Sequence, residues 1–375
     1  MTIDAKHISL ILVLILCPLP TWAQPQADPT QVPLSPVVNR LLNDPINSES
    51  RKLELMLFHG QFEAVDQTKL TTEQRAEMAL AKFELNAPVL QDEKTPAIYR
   101  ALAANQRGEP EFASKLLPNP QSLREVLAKA DALETLGQLD DATKLLTPWR
   151  EKLRANLPDT AWQLTDAGIL LSKLANLEGL PARDYQQAMN WFAKARNQLD
   201  RLYWPAYIAE AQLLCDKGSR MQAIEAITEA LPLNPNASQV WLLLGRMSVD
   251  SFQFEKANEC VKKLQQINPT HPLAAELIIR SLLAQRDLTQ VPLLLTDARK
   301  EYPTHRTFIA LEAAMHAMMF DHGKLDQSLA TFEKLSPGNP MALATAGEFL
   351  SFARQYDWGE QLLRRAIAMQ PNWPK

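Results

Sequence analysis

Histidine and acidic side chains gather near residue 320, and these are residue types that hold zinc in proteins. His316, Asp321 and His322 lie close together in the sequence. However, the chain has no His-Glu-x-x-His run, the motif that places two zinc ligands and a general base on one helix face. We therefore interpret these three residues as polar side chains at a helix end in water, and we expect no metal site.

The motifs of nucleophilic and phosphate chemistry are also missing from the sequence. Only 11 glycines occur in 375 residues, and no short window holds the two or three that a phosphate-binding loop needs. Neither Gly-x-Ser-x-Gly nor Cys-x-x-Cys occurs. Asp140 and Asp141 fit the acidic first turn of a helix, and tryptophans and methionines at helical spacing predict core packing. We expect no catalytic activity and no cofactor.

The first 23 residues have the pattern of a secretory signal peptide. An apolar run from Leu10 to Leu16 is too short to span a bilayer, and the small residues after it favour cleavage after Ala23. Residues 24–36 carry four prolines, which predicts an extended linker. No later segment approaches the roughly 20 apolar residues of a transmembrane helix. The sequence thus predicts an exported, periplasmic protein with no membrane span after cleavage.

The charge of the chain limits the classes of partner that it could bind. The formal net charge is −4 and both signs are interspersed, which argues against nucleic acid and against a polybasic membrane patch.

Cys215 and Cys260 are the cysteines that follow the signal peptide. In an exported protein they could form a disulfide, but buried thiols in helices are the more common arrangement. We interpret them as core residues.

The strongest regularity in the chain is a period of 34 residues. Prolines stand at 235, 269, 303, 337 and 371, each after a stretch with helical patterning. Proline lacks an N–H and clashes with the preceding helical turn, so each of these positions should end a helix. Glycine scarcity and abundant Ala, Leu, Gln, Lys and Glu favour an all-α chain. The period therefore predicts an array of helical hairpins.

Small residues recur where two helices of one hairpin must approach each other closely. Ala211, Gly245, Ala313 and Gly347 occupy one such column, and Ala223, Ala257 and Gly359 occupy the other. Gly108, Gly137 and Gly218 stand where a left-handed residue would end the first helix of a hairpin. Each is followed five residues later by an alanine. These columns indicate that the hairpins repeat as one structural unit.

On these residues the chain resembles the tetratricopeptide repeat (TPR) family. One segment carries the family signature at its usual spacings, and matching residues recur in neighbouring units. The signature residues are Trp241, Leu244, Gly245, Ala257 and Pro269, with Gly218, Ala223, Ala230, Pro235, Pro303, Pro337, Gly347 and Pro371. The array is predicted over 121–375, best over 201–375, with a degenerate hairpin region over 37–120. The resemblance implies a right-handed superhelix of about eight or nine hairpins.

The resemblance also implies a binding face, because the first helices of TPR hairpins line the concave side of the superhelix. The inward positions expected to contact a partner are Gln212, Gln239, Arg246, Glu276 and Arg280. Two arginines in adjacent repeats would bind carboxylates in a forked geometry. The alternative is that each pairs within its own helix, Arg246 with Asp250 and Arg280 with Glu276.

The function implied is an exported scaffold that binds proteins or peptides in the cell envelope. A second, weaker resemblance is to exported TPR arrays that precede a zinc-peptidase-like domain, which this sequence does not contain. The alternatives are therefore an accessory repeat region of an envelope peptidase or of a polysaccharide-secretion machine. Nothing in the sequence indicates an oligomeric state.

Overall fold

A computed structural model describes residues 32–179 and 182–371. The predicted signal peptide and most of the predicted linker lie outside the described residues. The described chain is helical and contains no strand, which confirms the all-α prediction. None of its helices is both long and apolar enough to cross a membrane.

The first eight helices range from 4 to 17 residues and are separated by turns. They are α1 (Pro36–Leu42), α2 (Glu49–Phe58), α3 (Thr72–Ala81), α4 (Pro88–Gln91), α5 (Ala97–Arg107), α6 (Pro110–Leu116), α7 (Leu123–Thr135) and α8 (Leu139–Ala155). A 3-10 turn at Phe62–Ala64 follows α2 in the place of a second helix.

The remaining twelve helices are more uniform, with 11 to 18 residues each. They are α9 (Ala161–Glu178), α10 (Ala182–Lys194), α11 (Trp204–Asp216), α12 (Arg220–Ala230), α13 (Ser238–Asp250), α14 (Phe254–Ile267), α15 (Pro272–Gln285), α16 (Val291–Glu301), α17 (Arg306–Met318), α18 (His322–Leu335), α19 (Met341–Phe352) and α20 (Tyr356–Met369). Successive pairs from α3–α4 to α19–α20 form nine helical hairpins in the described chain. They stack into the predicted solenoid.

The proline column ends the second helices as predicted. Helix α14 stops at Ile267 before Pro269, and α20 stops at Met369 before Pro371. Small residues allow the close approach within a hairpin and onto the next one. A Cβ at position 245 would lie 2.2 Å from Leu277 Cδ2, so only glycine fits there without rearrangement.

The turn inside each hairpin contains one residue in the left-handed region. In the C-terminal hairpins these residues lie at successive intervals of 34, and four of the five are not glycine: Gly218, Phe252, Arg286, Phe320 and Arg354. A bulky residue in this conformation costs roughly 1–2 kcal/mol relative to glycine. The same capping hydrogen bond follows each of these residues, as from the Gln253 N–H to the Ser248 carbonyl, so the helix cap holds the conformation and the residue type does not.

The N-terminal hairpins repeat with a shorter spacing because their second helices are truncated. Their left-handed turn residues are Gly60, Phe83, Gly108 and Gly137. Helix α4 has only 4 residues and α6 has 7. This shortening removes the 34-residue period, and it explains why the region looks degenerate in sequence.

These N-terminal turns dock onto the loops between the C-terminal hairpins, and we call this contact the seam. In the seam, main-chain carbonyls at the N-terminal turns accept hydrogen bonds from side chains 176 to 201 residues later. The pairs are Phe58 with Asn234 (3.2 Å), Phe83 with Asn268 (3.0 Å), Gly108 with Arg306 (2.8 Å) and Thr135 with Ser336 (2.6 Å). The order is the same along both halves, so one turn of the solenoid lies directly against the next.

The seam leaves no space for side chains at its glycines. A Cβ at Gly108 would lie 2.5 Å from His305 Cα, and a Cβ at Gly137 would lie 2.1 Å from the Pro337 carbonyl oxygen. Gly218 has a similar positive φ of 77°, but a Cβ placed there would have no neighbouring atom within 4 Å. Glycine is thus required at positions 108 and 137 by both backbone conformation and packing.

Candidate partner-binding cavity

The predicted arginine pair is brought together by one carboxylate. Glu276 Oε1 accepts from Arg246 Nη2 at 2.5 Å and from Arg280 Nε at 2.8 Å. Arg280 therefore pairs within its own helix, whereas Arg246 reaches from α13 to α15. Asp250, the alternative partner of Arg246 within its own helix, accepts from Arg220 Nη2 at 3.0 Å.

This ion-pair cluster is mostly inside the protein. Glu276 is 2% exposed and Arg280 is 8% exposed. Burial alone would raise the pKa of Glu276, but the two guanidinium groups hold it at about 2. The charges satisfy one another between repeats, which argues against direct partner contact for these two residues. Of the other predicted residues, Gln212 is exposed and donates to Asp216.

The remaining predicted residue, Gln239, lies at a large cavity of about 1070 Å³. One wall is formed by the inner faces of α2, α3, α5, α7 and α9. The other is formed by the start of α11 and the loop that leads into α13. The seam contact between Phe58 and Asn234 joins the two walls. The cavity is at the upper end of the roughly 300–1,000 Å³ of small-ligand pockets, so it can hold several peptide residues.

Aromatic rings line one part of this cavity. The Phe58 ring stacks on Tyr203 with centroids 5.7 Å apart and lies 5.8 Å from Trp204. Trp204 Nε1 donates to the Phe58 carbonyl at 2.7 Å, which fixes its indole at the seam. Trp162 also lines the cavity and is 46% exposed. Core packing, expected for the tryptophans, therefore does not describe Trp162.

Charged residues line the rest of the cavity, and acidic ones outnumber basic ones. The carboxylates are Glu54, Glu77, Asp166 and Asp200, and the arginines are Arg51 and Arg124. Burial raises the pKa of Asp166 to about 6, although the nearby Arg124 acts in the opposite direction. A charged Asp166 is therefore poorly compensated by its surroundings at neutral pH.

The cysteines and the histidine and acidic residues near position 320 lie outside the cavity and have structural roles. Cys260 is buried, Cys215 is partly buried, and both thiols are free. Asp321 accepts from the Lys324 N–H at the start of α18, and the His322 ring lies 4.6 Å from Trp358. Among the described residues, no group of three His, Cys, Asp or Glu side chains is placed to hold a metal ion.

Sequence reasoning placed the binding face on the C-terminal repeats and identified only Gln239 of the residues that line this cavity. Its walls come from hairpins that lack the 34-residue period and from a seam between distant segments. One signal was present in the sequence, since Trp162 and Asp166 stand four residues apart and would share one face of a helix.

No protein-family model matches the sequence. Among solved structures, the fold is similar to a chain in the APC/C hetero-tetramer Cut9-Hcn1, with a TM-score of 0.53 and 16% identity over 89% of this chain. The present chain spans 66% of the length of that chain.

Two further structures are less similar. A tetratricopeptide repeat protein from Parabacteroides merdae has 17% identity and a TM-score of 0.43, with 66% of this chain and 93% of that chain covered. YrrB, described as a TPR protein with an unusual peptide-binding site, has 18% identity and a TM-score of 0.30, with 48% and 92% covered. The fold, an all-α solenoid of TPR type, rests on the likeness to the chain of the Cut9-Hcn1 assembly, and 16% identity shows the fold alone.

Proposed function

We propose that this protein is an exported scaffold that holds a segment of a partner protein in the inner cavity and catalyses no reaction of its own. The observation that carries the proposal is the cavity of about 1070 Å³ on the inner face of the first helices. Its exposed aromatic surface is of the kind that anchors partners at protein interfaces, and its few charged groups can fix the orientation of a bound segment.

Preorganisation supports the same function. The walls are hairpins whose backbone is fixed by stacking, and the Phe58–Asn234 contact of the seam holds them together. A segment that enters a preformed site loses its own freedom but does not have to order the receptor, which favours affinity. Binding rather than catalysis also fits the lack of any nucleophile–base motif in the sequence.

Export to the cell envelope is the second part of the proposal and rests on the signal-peptide pattern of residues 1–23. Its test is N-terminal sequencing of the protein recovered from the periplasmic fraction of a bacterial host. We expect Gln24 as the first residue. An intact Met1 in the cytoplasmic fraction would refute this part.

Site-specific crosslinking tests the binding function. A photoreactive benzoylphenylalanine replaces Trp162 inside the cavity in one strain, and Leu293 on the outer helix α16 in a control strain. Leu293 is 66% exposed and does not line the cavity. We expect a discrete crosslinked protein from position 162 that is absent from position 293. Equal products from both positions would indicate contact elsewhere on the surface and would refute the proposal.

A further inference from the structure

The cavity offers more hydrogen-bond acceptors than it can satisfy from its own walls. Three of its four carboxylates have partners within the chain. Glu54 pairs with Arg51 at 3.1 Å, Glu77 accepts from the Tyr99 hydroxyl at 2.9 Å, and Asp200 accepts from the Leu202 N–H at 2.9 Å. The fourth, Asp166, accepts no hydrogen bond from any described residue. Its carboxylate is thus available to a donor inside the cavity.

A second acceptor at the same cavity is buried and unsatisfied. Gln106 Oε1 is shielded from solvent and has no hydrogen-bond partner among the described residues. Gln106 lines the cavity from α5, on the same wall as Asp166 of α9. A buried acceptor without a donor costs roughly 1–3 kcal/mol. This oxygen is shielded from the cavity as well as from bulk solvent, so Asp166 is the acceptor that a ligand can reach.

The ionisable groups near Asp166 favour a cation as the ligand of this carboxylate. Arg124, Tyr203 and Asp200 are the ionisable groups that influence this part of the cavity. Arg124 makes no ion pair within 4 Å among the described residues, and its guanidinium carbon lies 5.6 Å from the centroid of the Tyr99 ring. It therefore screens Asp166 without neutralising it at contact distance.

Aromatic surface strengthens this match. Trp162 stands four residues before Asp166 on α9, so both side chains lie on the same helix face. An indole beside a carboxylate is a favourable site for ammonium or guanidinium groups, because the ring face attracts cations and the carboxylate accepts their hydrogen bonds. Lysine and arginine also have aliphatic stems that pack well on indole.

We propose that the cavity selects a partner segment by a lysine or arginine side chain, which binds Asp166 beside the Trp162 indole. This inference rests on the proposed function and specifies its partner as a protein segment with a basic residue. The four carboxylates against two arginines give the cavity a net negative lining that disfavours acidic segments.

Calorimetric titration of the chain from Gln24 with matched peptides tests the inference. The probes are three capped pentapeptides with alanine at every position except the centre, which is arginine, norleucine or glutamate. We expect the arginine peptide to bind at least about tenfold more tightly than the norleucine peptide, as a charge-assisted hydrogen bond predicts. Asp166→Asn should abolish this difference, whereas Asp297→Asn, on the outer helix α16, should leave it unchanged.

Indole resonances of the ¹⁵N-labelled protein report where the peptide binds. We expect the arginine peptide to shift the Trp162 and Trp204 indole signals. Equal affinity for arginine and norleucine peptides, with those same shifts, would overturn the basic-residue inference and leave the proposed scaffold function standing. Equal binding of free arginine methyl ester would overturn the assignment to a protein segment. Absence of binding by all three peptides would overturn the inference, while crosslinking at Trp162 tests the scaffold function separately.

Discussion

Gly108→Ala and Gly218→Ala are a matched pair that measures the seam. Both residues lie at hairpin turns with positive φ, 82° and 77°. Both substitutions therefore impose the same left-handed strain on alanine, which costs about 1 kcal/mol. Only the first also introduces a methyl group into the packed contact between the two halves of the chain.

The additional cost at position 108 follows from the distances. The new Cβ would lie 2.5 Å from His305 Cα and 2.9 Å from its backbone nitrogen, far inside van der Waals contact. Backbone atoms cannot rotate away as a side chain can, so the loop must shift and weaken its hydrogen bonds to the Gly108 carbonyl. Overpacking of this kind costs roughly 1–3 kcal/mol. We therefore expect Gly108→Ala to lose about 3 kcal/mol in total and Gly218→Ala about 1 kcal/mol.

Urea denaturation followed by tryptophan fluorescence gives the stability difference, and hydrogen exchange locates it. Exchange in Gly108→Ala should increase in segments 97–117 and 302–306, because the seam holds both together. In Gly218→Ala any increase should stay near the turn between α11 and α12. Equal denaturation midpoints for the two variants, with no change in segment 302–306, would refute the seam.

Three further outcomes follow from particular side chains. Phe83→Gly should lower the free energy of unfolding, measured in urea, by about 3 kcal/mol, because it removes a buried ring 4.5 Å from His271. Phe320→Gly should stay within about 1 kcal/mol of wild type, since its ring is half exposed. Equal losses would contradict this. Burial raises the pKa of Asp166 from 3.8 to about 6, so the folded protein favours the neutral carboxyl. The stability that this neutral form allows is fully present below pH 4 and is lost as pH rises through 6. Asp166→Asn should therefore raise Tm above pH 6 and leave it unchanged below pH 4. The pKa of Glu276 is lowered from 4.5 to about 2, so its stabilisation is present above pH 4.5 and lost as pH falls to 2. Glu276→Gln should lower the free energy of unfolding by about 3 kcal/mol at neutral pH. Between pH 4.5 and 2, the Tm of this variant should fall less than the Tm of the wild type.

The regular part of the fold could be predicted from sequence because its causes are local. Proline ends a helix wherever it stands, and the small residues of a hairpin must recur with the hairpin itself, so Pro269 and Gly245 were informative on their own. The left-handed turns were predictable only where glycine marks them, as at Gly218. At Phe252 and Phe320 the same conformation is held by a capping hydrogen bond from the next residue, and a phenylalanine gives no sign of it in the sequence.

The cavity could not be predicted because it depends on contacts between distant segments. The Asn234 amide reaches the Phe58 carbonyl 176 residues away. Nothing in either segment alone indicates this pairing. The predicted arginines illustrate the same limit, since Arg280 has the right position for a concave face and is nevertheless buried against Glu276 once the repeats stack.

Crosslinking from position 162 in three backgrounds tests the central claim most directly. Benzoylphenylalanine replaces Trp162 in otherwise wild-type protein, in Gly218→Ala and in Gly108→Ala, at equal expression. If a partner segment is held in a cavity whose walls are joined by the seam, the wild-type and Gly218→Ala backgrounds will give the same crosslinked protein in similar yield, and Gly108→Ala will give much less. Equal yield in all three would show that binding does not depend on the seam, and would contradict the account.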